Sequence, residues 1–406
     1  MEWAVVHFQA TERLRGADGH GRPRPRRAEP DSTVWPTTSG TLGVTAIRVC
    51  EVARSGKQPQ MQVQGDPPSG LGRTLTELRY ALSERISLLG GDTVHDGLLE
   101  IWCPYKARIN TFVSVADVEN RLFEWAVGAD LLGTPELRSR FQQARFGECA
   151  AYVYPDAPDL LIYAKWCAWL FIADDEFDEN RAPQEGGIDK GVLGFLPLDG
   201  APPTEPTSAV TRALVELWAE ISREMSAELR GRFRHHVDQY CRSYGSEMSR
   251  ARTGTAPSLA AYIDLRRDSG AVETCIDLIE RQKAAAVAVT RETGPMITML
   301  RAATNDIVCW SNDVASVGKE VGHGELNNLV AVLRQETDSD WEKAEVLAAR
   351  MASTRTRDFD ALQHKLLSTD RSPETAMFVK GLKHWITGSL AWHLTSPRYA
   401  RKLAEM

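Results

Sequence analysis

The chain lacks the features that mark several large functional classes. Its seven cysteines (Cys50, Cys103, Cys149, Cys167, Cys241, Cys275 and Cys309) are scattered, odd in number and never spaced as CxxC. That argues against a disulfide framework or a zinc site and for reduced thiols in a cytoplasmic protein. There is no surplus of basic charge: 48 Lys and Arg stand against 55 Asp and Glu, for a net −7. General nucleic-acid binding, which favours basic surfaces, is therefore not expected. The most apolar stretch, Leu160 to Ala173, is too short to span a bilayer and contains Lys165. Met1-Glu2-Trp3-Ala4-Val5-Val6 has no basic n-region, so no secretory signal is expected. No glycine-rich phosphate loop, internal repeat or sustained strand alternation is visible. A di-iron bundle needs two Glu-x-x-His units, and only Glu320 with His323 fits.

What is present is an ordinary globular composition, 43% hydrophobic and 25% charged over 406 residues. The length suits one large domain plus an appendage. Residues 1–72 read as a mostly disordered extension, with the Gly/Pro-rich basic run Arg15 to Arg27 unable to pack a core. Thr41 to Ala53 has the pattern of a short strand without an obvious partner. Residues 73–99 read as a linker with an amphipathic helix, since Leu75, Leu78, Leu82, Ile86 and Leu89 keep a 3–4 spacing. From about residue 100 to 406 the pattern is nearly all helical. Helices are expected around 115–131, 135–146, 157–178, 207–225, 226–252, 258–265, 271–290, 294–320, 325–336, 339–367 and 372–394. Pro135, Pro158, Pro257 and Pro295 sit at expected helix starts. Asn180 to Pro206 reads as a long loop and a candidate lid. The fold class is an all-α bundle.

Two stretches carry the chemistry. Leu170-Phe171-Ile172-Ala173 runs into Asp174-Asp175-Glu176-Phe177-Asp178-Glu179, five carboxylates at the end of an apolar helix. Asp174 and Asp178 share a face at i, i+4. A solvated acidic helix end is the plain reading; hard divalent cations such as Mg²⁺, which take oxygen ligands and lean on substrate phosphates, are the functional one. Asn312, Ser316 and Glu320 fall at i, i+4 and i+8 after the apolar Ile307-Val308-Cys309-Trp310. That places one oxygen-bearing side chain per turn on a single stripe, a weakly charged site that holds Mg²⁺ with a phosphate's help. Lys319 lies beside it.

These motifs resemble those of the class I terpene synthases, the bacterial terpene cyclases in particular. Asp174, Asp175 and Asp178 match the aspartate-rich DDxxD, and Asn312, Ser316 and Glu320, with Lys319, match the N-x-x-x-S-x-x-x-E triad. Arg266, 46 residues ahead of Asn312, matches the pyrophosphate-sensor arginine, and Arg398-Tyr399 the near-terminal Arg-Tyr pair. Pro104-Tyr105 with Arg108 and Asn110 resembles the segment by which such domains enter their first helix. The resemblance covers residues 100–406 and implies a class I helical bundle around a central cavity, preceded by the extension. It implies Mg²⁺, three ions bound with the diphosphate, and a prenyl diphosphate substrate, farnesyl diphosphate first. Ser269 and the Gly270 backbone are implied to link Arg266 to ionisation, although many relatives carry Asp or Thr where Ser269 stands. Phe171, Trp310 and Trp392 are candidate cavity aromatics, beside the plain reading that they are core. A geranylgeranyl diphosphate cyclase, a chain-elongating prenyltransferase and a non-catalytic helical scaffold remain as alternatives, and the protein is expected to be a monomer or homodimer.

Overall fold

The computed structural model describes residues 3–9, 46–52, 94–95, 98–179, 188, 191–200, 204–251, 256–283, 287, 289–322 and 326–399. Twelve α-helices are found among them. The first three are α1 (Val115–Gly128), α2 (Pro135–Ala144) and α3 (Phe146–Val153). Next come α4 (Leu161–Glu179), α5 (Ala209–Ile221), α6 (Ala227–Ala251), α7 (Leu259–Ser269) and α8 (Val272–Lys283). The last are α9 (Gly294–Gly322), α10 (Leu329–Thr337), α11 (Trp341–Thr369) and α12 (Pro373–Thr395).

Capping residues set most of these starts. Ser114, Thr134, Ser208, Ser258, Asn328, Asp340 and Ser372 each accept a hydrogen bond from a first-turn backbone N–H. Pro135 and Pro373 follow two of these caps in the first turn, where a missing N–H costs nothing. The helix expected to run to residue 146 instead breaks at Arg145, which takes a left-handed conformation (φ 58°) and starts α3. α3 packs between α4 and α12, and α9 runs along α11 and α12. The core is thick with aromatics; Trp166, Trp169 and Trp392 are almost wholly buried.

Four short strands precede the bundle: β1 (Trp3–Gln9), β2 (Ala46–Val52), β3 (Val94–His95) and β4 (Leu98–Cys103). They form an antiparallel sheet in the order β2-β1-β4-β3. The strand pattern at Thr41 to Ala53 thus has a partner, β1, opposite it in full register from Trp3↔Val52 to Gln9↔Ala46. These two strands depart from the expected disorder of residues 1–72. The partner lies far away in sequence, so no hairpin signal announced it. β4 ties the sheet to the bundle: the Trp102 N–H donates to Ser353 Oγ at 2.9 Å, and Arg357 lies over the Trp102 ring at 4.8 Å. The helix expected over Thr74 to Leu89 lies outside the described residues, as does much of the Asn180 to Pro206 loop, within which Val192–Phe195 forms a 3₁₀ turn.

Candidate active site

Helical periodicity builds a cavity of about 110 Å³ in the middle of the bundle. α4 faces it with Cys167, Leu170, Phe171 and Asp174, an i, i+3, i+4, i+7 stripe. α9 contributes Val308, Cys309 and Asn312, and α12 contributes Trp385, Ser389, Trp392 and His393. α7 supplies Arg266 and Ser269, the break after it Gly270 and α8 Cys275, with Cys149 and Tyr240 also in the wall. The two motif-bearing helices therefore meet across one mainly apolar space.

The aspartates divide their work. Asp174 lines the cavity, whereas Asp175 is held by Arg398, whose Nη1 and Nη2 donate to its two carboxylate oxygens at 3.0 and 2.9 Å. Lys319 adds a contact at 3.5 Å. Burial pushes the Asp175 carboxyl up, but Arg398, with Lys319 behind it, outweighs that and holds it below the usual carboxylate value. Asp175, expected among the metal ligands, is here an anchor for two cations. Asp178 lies on the same helix one turn beyond Asp174, and its side chain is outside the described residues.

On α9, Asn312 is the junction of the site. Its Oδ1 accepts from Arg266 Nη2 at 3.0 Å, and its Nδ2 donates to the Tyr399 hydroxyl at 2.9 Å. Ser316 donates to the Asn312 carbonyl at 2.8 Å, and Glu320 accepts from Asn328 Nδ2 at 2.9 Å. Burial and the neighbouring Asp313 push the Glu320 carboxyl up, a tension that a bound cation relieves. Asn312, Ser316 and Glu320 each keep an oxygen lone pair beyond these bonds. With Asp174 opposite, the donor set is all oxygen and low in charge, which fits a hard divalent ion supported by an anionic ligand. Among the described residues no group of three or more His, Cys, Asp or Glu side chains converges as a metal site by itself.

Arg266 is fixed before any ligand arrives. Its Nε donates to Asp313 at 3.0 Å, and the fully buried Asp313 also accepts from the Tyr262 hydroxyl and, at 2.6 Å, from the Leu329 N–H. α7 then ends: the Gly270 N–H bonds back to the Arg266 carbonyl at 2.9 Å, and Ala271 turns left-handed at φ 55°. Such a turn costs a residue with a Cβ about 1–2 kcal/mol. Gly270 itself has an ordinary φ of −72°; its need for glycine is spatial, since a Cβ there would meet Cys309 Sγ at 2.3 Å. The Ser269 hydroxyl is buried in the lining without a hydrogen-bond partner. A buried hydroxyl in that state costs about 1–3 kcal/mol, which a polar ligand in the cavity recovers.

Of the three candidate aromatics, Phe171 and Trp392 line the cavity, with ring centroids 5.1 Å apart. Trp392 is locked by an Nε1–H bond to the Ala144 carbonyl at 3.1 Å. Trp310 is buried but does not line the cavity; α9 turns about 100° per residue, and that carries it past the stripe of Val308, Cys309 and Asn312. Several contributors had no motif to announce them. Asp313 holds Arg266, Asn328 holds Glu320, and His393 sits 3.4 Å from Asn312 Nδ2. Burial drives the His393 imidazole down to about 3, so it is neutral near pH 7. Cys167 and His393 were readable as cavity positions only by extending the Asp174 and Trp392 stripes along their helices.

Comparison with known proteins agrees with this architecture. Residues 165–358 match the family model described as terpene synthase family 2, C-terminal metal binding. The (+)-T-muurolol synthase ((2E,6E)-farnesyl diphosphate cyclizing) of Roseiflexus castenholzii is 31% identical over 309 residues, which is 73% of this chain and 92% of that one. The 4-epi-cubebol synthase ((2E,6E)-farnesyl diphosphate cyclizing) of Streptosporangium roseum is 29% identical over 73% of this chain and 90% of its own. The crystal structure of germacradien-4-ol synthase from Streptomyces citricolor shares the fold, with a TM-score of 0.60 at 24% identity over 72% of this chain and 97% of that one. No described helix is long and apolar enough to cross a membrane. The chain belongs to the terpene synthase family.

Proposed function

We propose that this chain ionises farnesyl diphosphate with Mg²⁺, three ions bound together with the diphosphate, and closes the resulting cation into a sesquiterpene hydrocarbon or alcohol. The observation that carries this reading is the meeting of Asp174 and Asn312 in one apolar cavity that also contains Arg266. The printed names of the two relatives above, both farnesyl diphosphate cyclising, support the choice of substrate. Asp174, Asp178, Asn312, Ser316 and Glu320 would hold the metal. Once bound, Mg²⁺ supplies positive charge that stabilises the diphosphate as a leaving group.

The chain's own groups do the rest. Arg266, Arg398 and Lys319 are each paired with a carboxylate, so binding a diphosphate exchanges one anion for another without desolvating a bare cation. The Tyr399 hydroxyl, already fixed by Asn312, can turn its own proton toward a phosphate oxygen. Below them the wall is mainly apolar, and the Trp392 ring can attract positive carbon at about 0.5–2 kcal/mol; the Phe171 ring is already covered by Arg398 at 4.9 Å and by Phe146, stacked at 5.1 Å. Energies of that size steer between products and do not drive ionisation. His393 is neutral and so adds no repulsion. All these residues come from one chain, so a monomer or a homodimer serves equally. The free thiols among the described residues support a reducing, cytoplasmic setting.

The test is incubation with farnesyl, geranyl or geranylgeranyl diphosphate, with Mg²⁺ or with chelator, followed by gas chromatography–mass spectrometry and a diphosphate assay. A cyclic fifteen-carbon product that needs Mg²⁺ is expected. Preference for geranylgeranyl diphosphate would make the enzyme a diterpene cyclase, and no cyclic product from any of the three would end the reading.

A further inference from the structure

Four of the seven cysteines, Cys149, Cys167, Cys275 and Cys309, line this one cavity, each from a different helix. All four are buried and free. They do not form a metal site, since no such cluster exists among the described residues. Core thiols behave as small hydrophobes, but these four border a cavity, where a sulfur faces whatever fills it.

They also spread along the depth of the cavity. Cys309 sits one turn below Asn312 on α9, and Cys167 two turns below Asp174 on α4, about 10 Å deeper at 1.5 Å per residue. One sulfur is therefore near the diphosphate end and another near the far end of a bound chain. The Cys309 S–H donates to Asn305 Oδ1 at 3.2 Å, which leaves the sulfur lone pairs to face elsewhere. Cys275 lies beside Thr274 Oγ1 at 3.9 Å.

Resting on the cyclase reading, we propose that Cys149, Cys167, Cys275 and Cys309 are specificity-determining residues, whose polarizable sulfur lone pairs contact positive carbon along the cation's path and so select among ring closures. Oxygen at these positions would bind water in an otherwise apolar wall, and a carbon side chain would offer no lone pair. Thiolates would be alkylated by the cation, which would destroy the enzyme. The protein avoids this: contact with Cys149 and then burial push the Cys167 thiol well above its usual value, and burial pushes Cys275 well up and Cys309 up to about 12. Held protonated, Cys167, Cys275 and Cys309 are far weaker nucleophiles toward the cation than thiolates would be.

The test uses the full chain with farnesyl diphosphate and Mg²⁺, comparing Cys167→Ala, Cys167→Ser, Cys275→Ala and Cys275→Ser by total rate and product distribution. Turnover should stay within about threefold while the ratio of major to minor products moves at least fivefold, with the serine variants richer in alcohol. An unchanged distribution in all four variants, each folded by circular dichroism, overturns the proposal and returns the thiols to ordinary packing. A second arm does not need turnover. In a crystal structure with Mg²⁺ and the non-ionising analogue 2-fluorofarnesyl diphosphate, Cys167 Sγ and Cys275 Sγ should lie within about 4 Å of prenyl carbon. Sulfurs that touch no prenyl carbon there overturn the proposal even if the variants misfold. A wild-type chain that binds the analogue in this way yet yields no cyclic product removes the cyclase reading instead.

Discussion

At the scale of single residues, the site is held by few atoms and should break at them. Asn312 bonds both Arg266 and Tyr399, and Glu320 closes the stripe one turn past Ser316. Asn312→Ala and Glu320→Ala should each lower product formation by about 10–100-fold or more with helical circular dichroism unchanged. Near-normal turnover of both with Mg²⁺ would falsify their assignment as ligands. Gly270→Ala makes a separate prediction. Its new methyl collides with Cys309 Sγ and presses on the Arg266 carbonyl at 3.0 Å, so activity should collapse, and adding Cys309→Ala should restore part of it because the obstructing sulfur is gone. If the double variant is as dead as the single one, the sulfur contact is not what requires glycine. Arg266→Lys keeps a charge but cannot reach Asp313 and Asn312 together, as the guanidinium fork does. All products should slow in parallel. Trp392→Phe, by contrast, should leave turnover modestly reduced while product ratios move, since about 1.4 kcal/mol between competing barriers is tenfold in ratio. Rate and distribution measured together separate the two roles, and a shifted distribution at full rate for Arg266→Lys would remove it from ionisation.

At the scale of elements, sequence periodicity went a long way. The helices carrying Asp174, Asn312 and Trp392 lie close to where their patterns placed them, because each has a long apolar face, although α4 begins at Leu161 and not at the expected 157. The Arg145 break was not legible: a left-handed arginine has no sequence signal of the kind that glycine gives. Nor was the split between Asp174 and Asp175, which depends on Arg398 arriving from the other end of the chain. Motif matching favoured residues in known spacings and so passed over Asp313, which lies inside one of them. Its burial is decisive. Asp313→Ala would strand the Arg266 guanidinium and the Leu329 N–H at once. Breaking a buried pair from one side costs about 3–5 kcal/mol, so the melting temperature should fall along with turnover. An unchanged melting temperature would mean that the α7–α9–α10 junction is held by something else.

For the whole molecule, two predictions concern what lies away from the cavity. Asp277, fully buried between α6, α8 and α9, accepts from Arg232 at 2.9 Å, Arg301 at 2.7 Å and His236 at 2.7 Å. Burial raises its carboxyl, but Arg301, His236 and Arg232 together hold it below the usual value. The folded form thus binds its proton more weakly than the unfolded chain, whose value is about 3.9. The stabilisation is complete above that pH and is lost as pH falls through the lower, folded value. Asp277→Asn should destabilise the protein near neutrality and flatten the acid limb of its thermal stability below about pH 4. An acid limb identical to that of the parent would show that other carboxylates set it. A chain beginning at Thr74 would lose β1 and β2 yet keep β4 with its bond to Ser353. No residue of the site lies before that point, so turnover should stay within about twofold. A folded but inactive product would make the sheet part of the catalytic unit.

The stripes on α4, α9 and α12 also limit how such a protein can diversify. Every lining residue owes its aim to the count of residues since the last anchored turn. A substitution changes one tile of the wall and leaves the others in place. One residue inserted between Trp169 and Asp174 would instead rotate everything beyond it by about 100°, swinging the carboxylate out of the cavity while the helix stayed intact. New products are therefore reached by exchanging side chains within helices, and changes of length are confined to the connections between them.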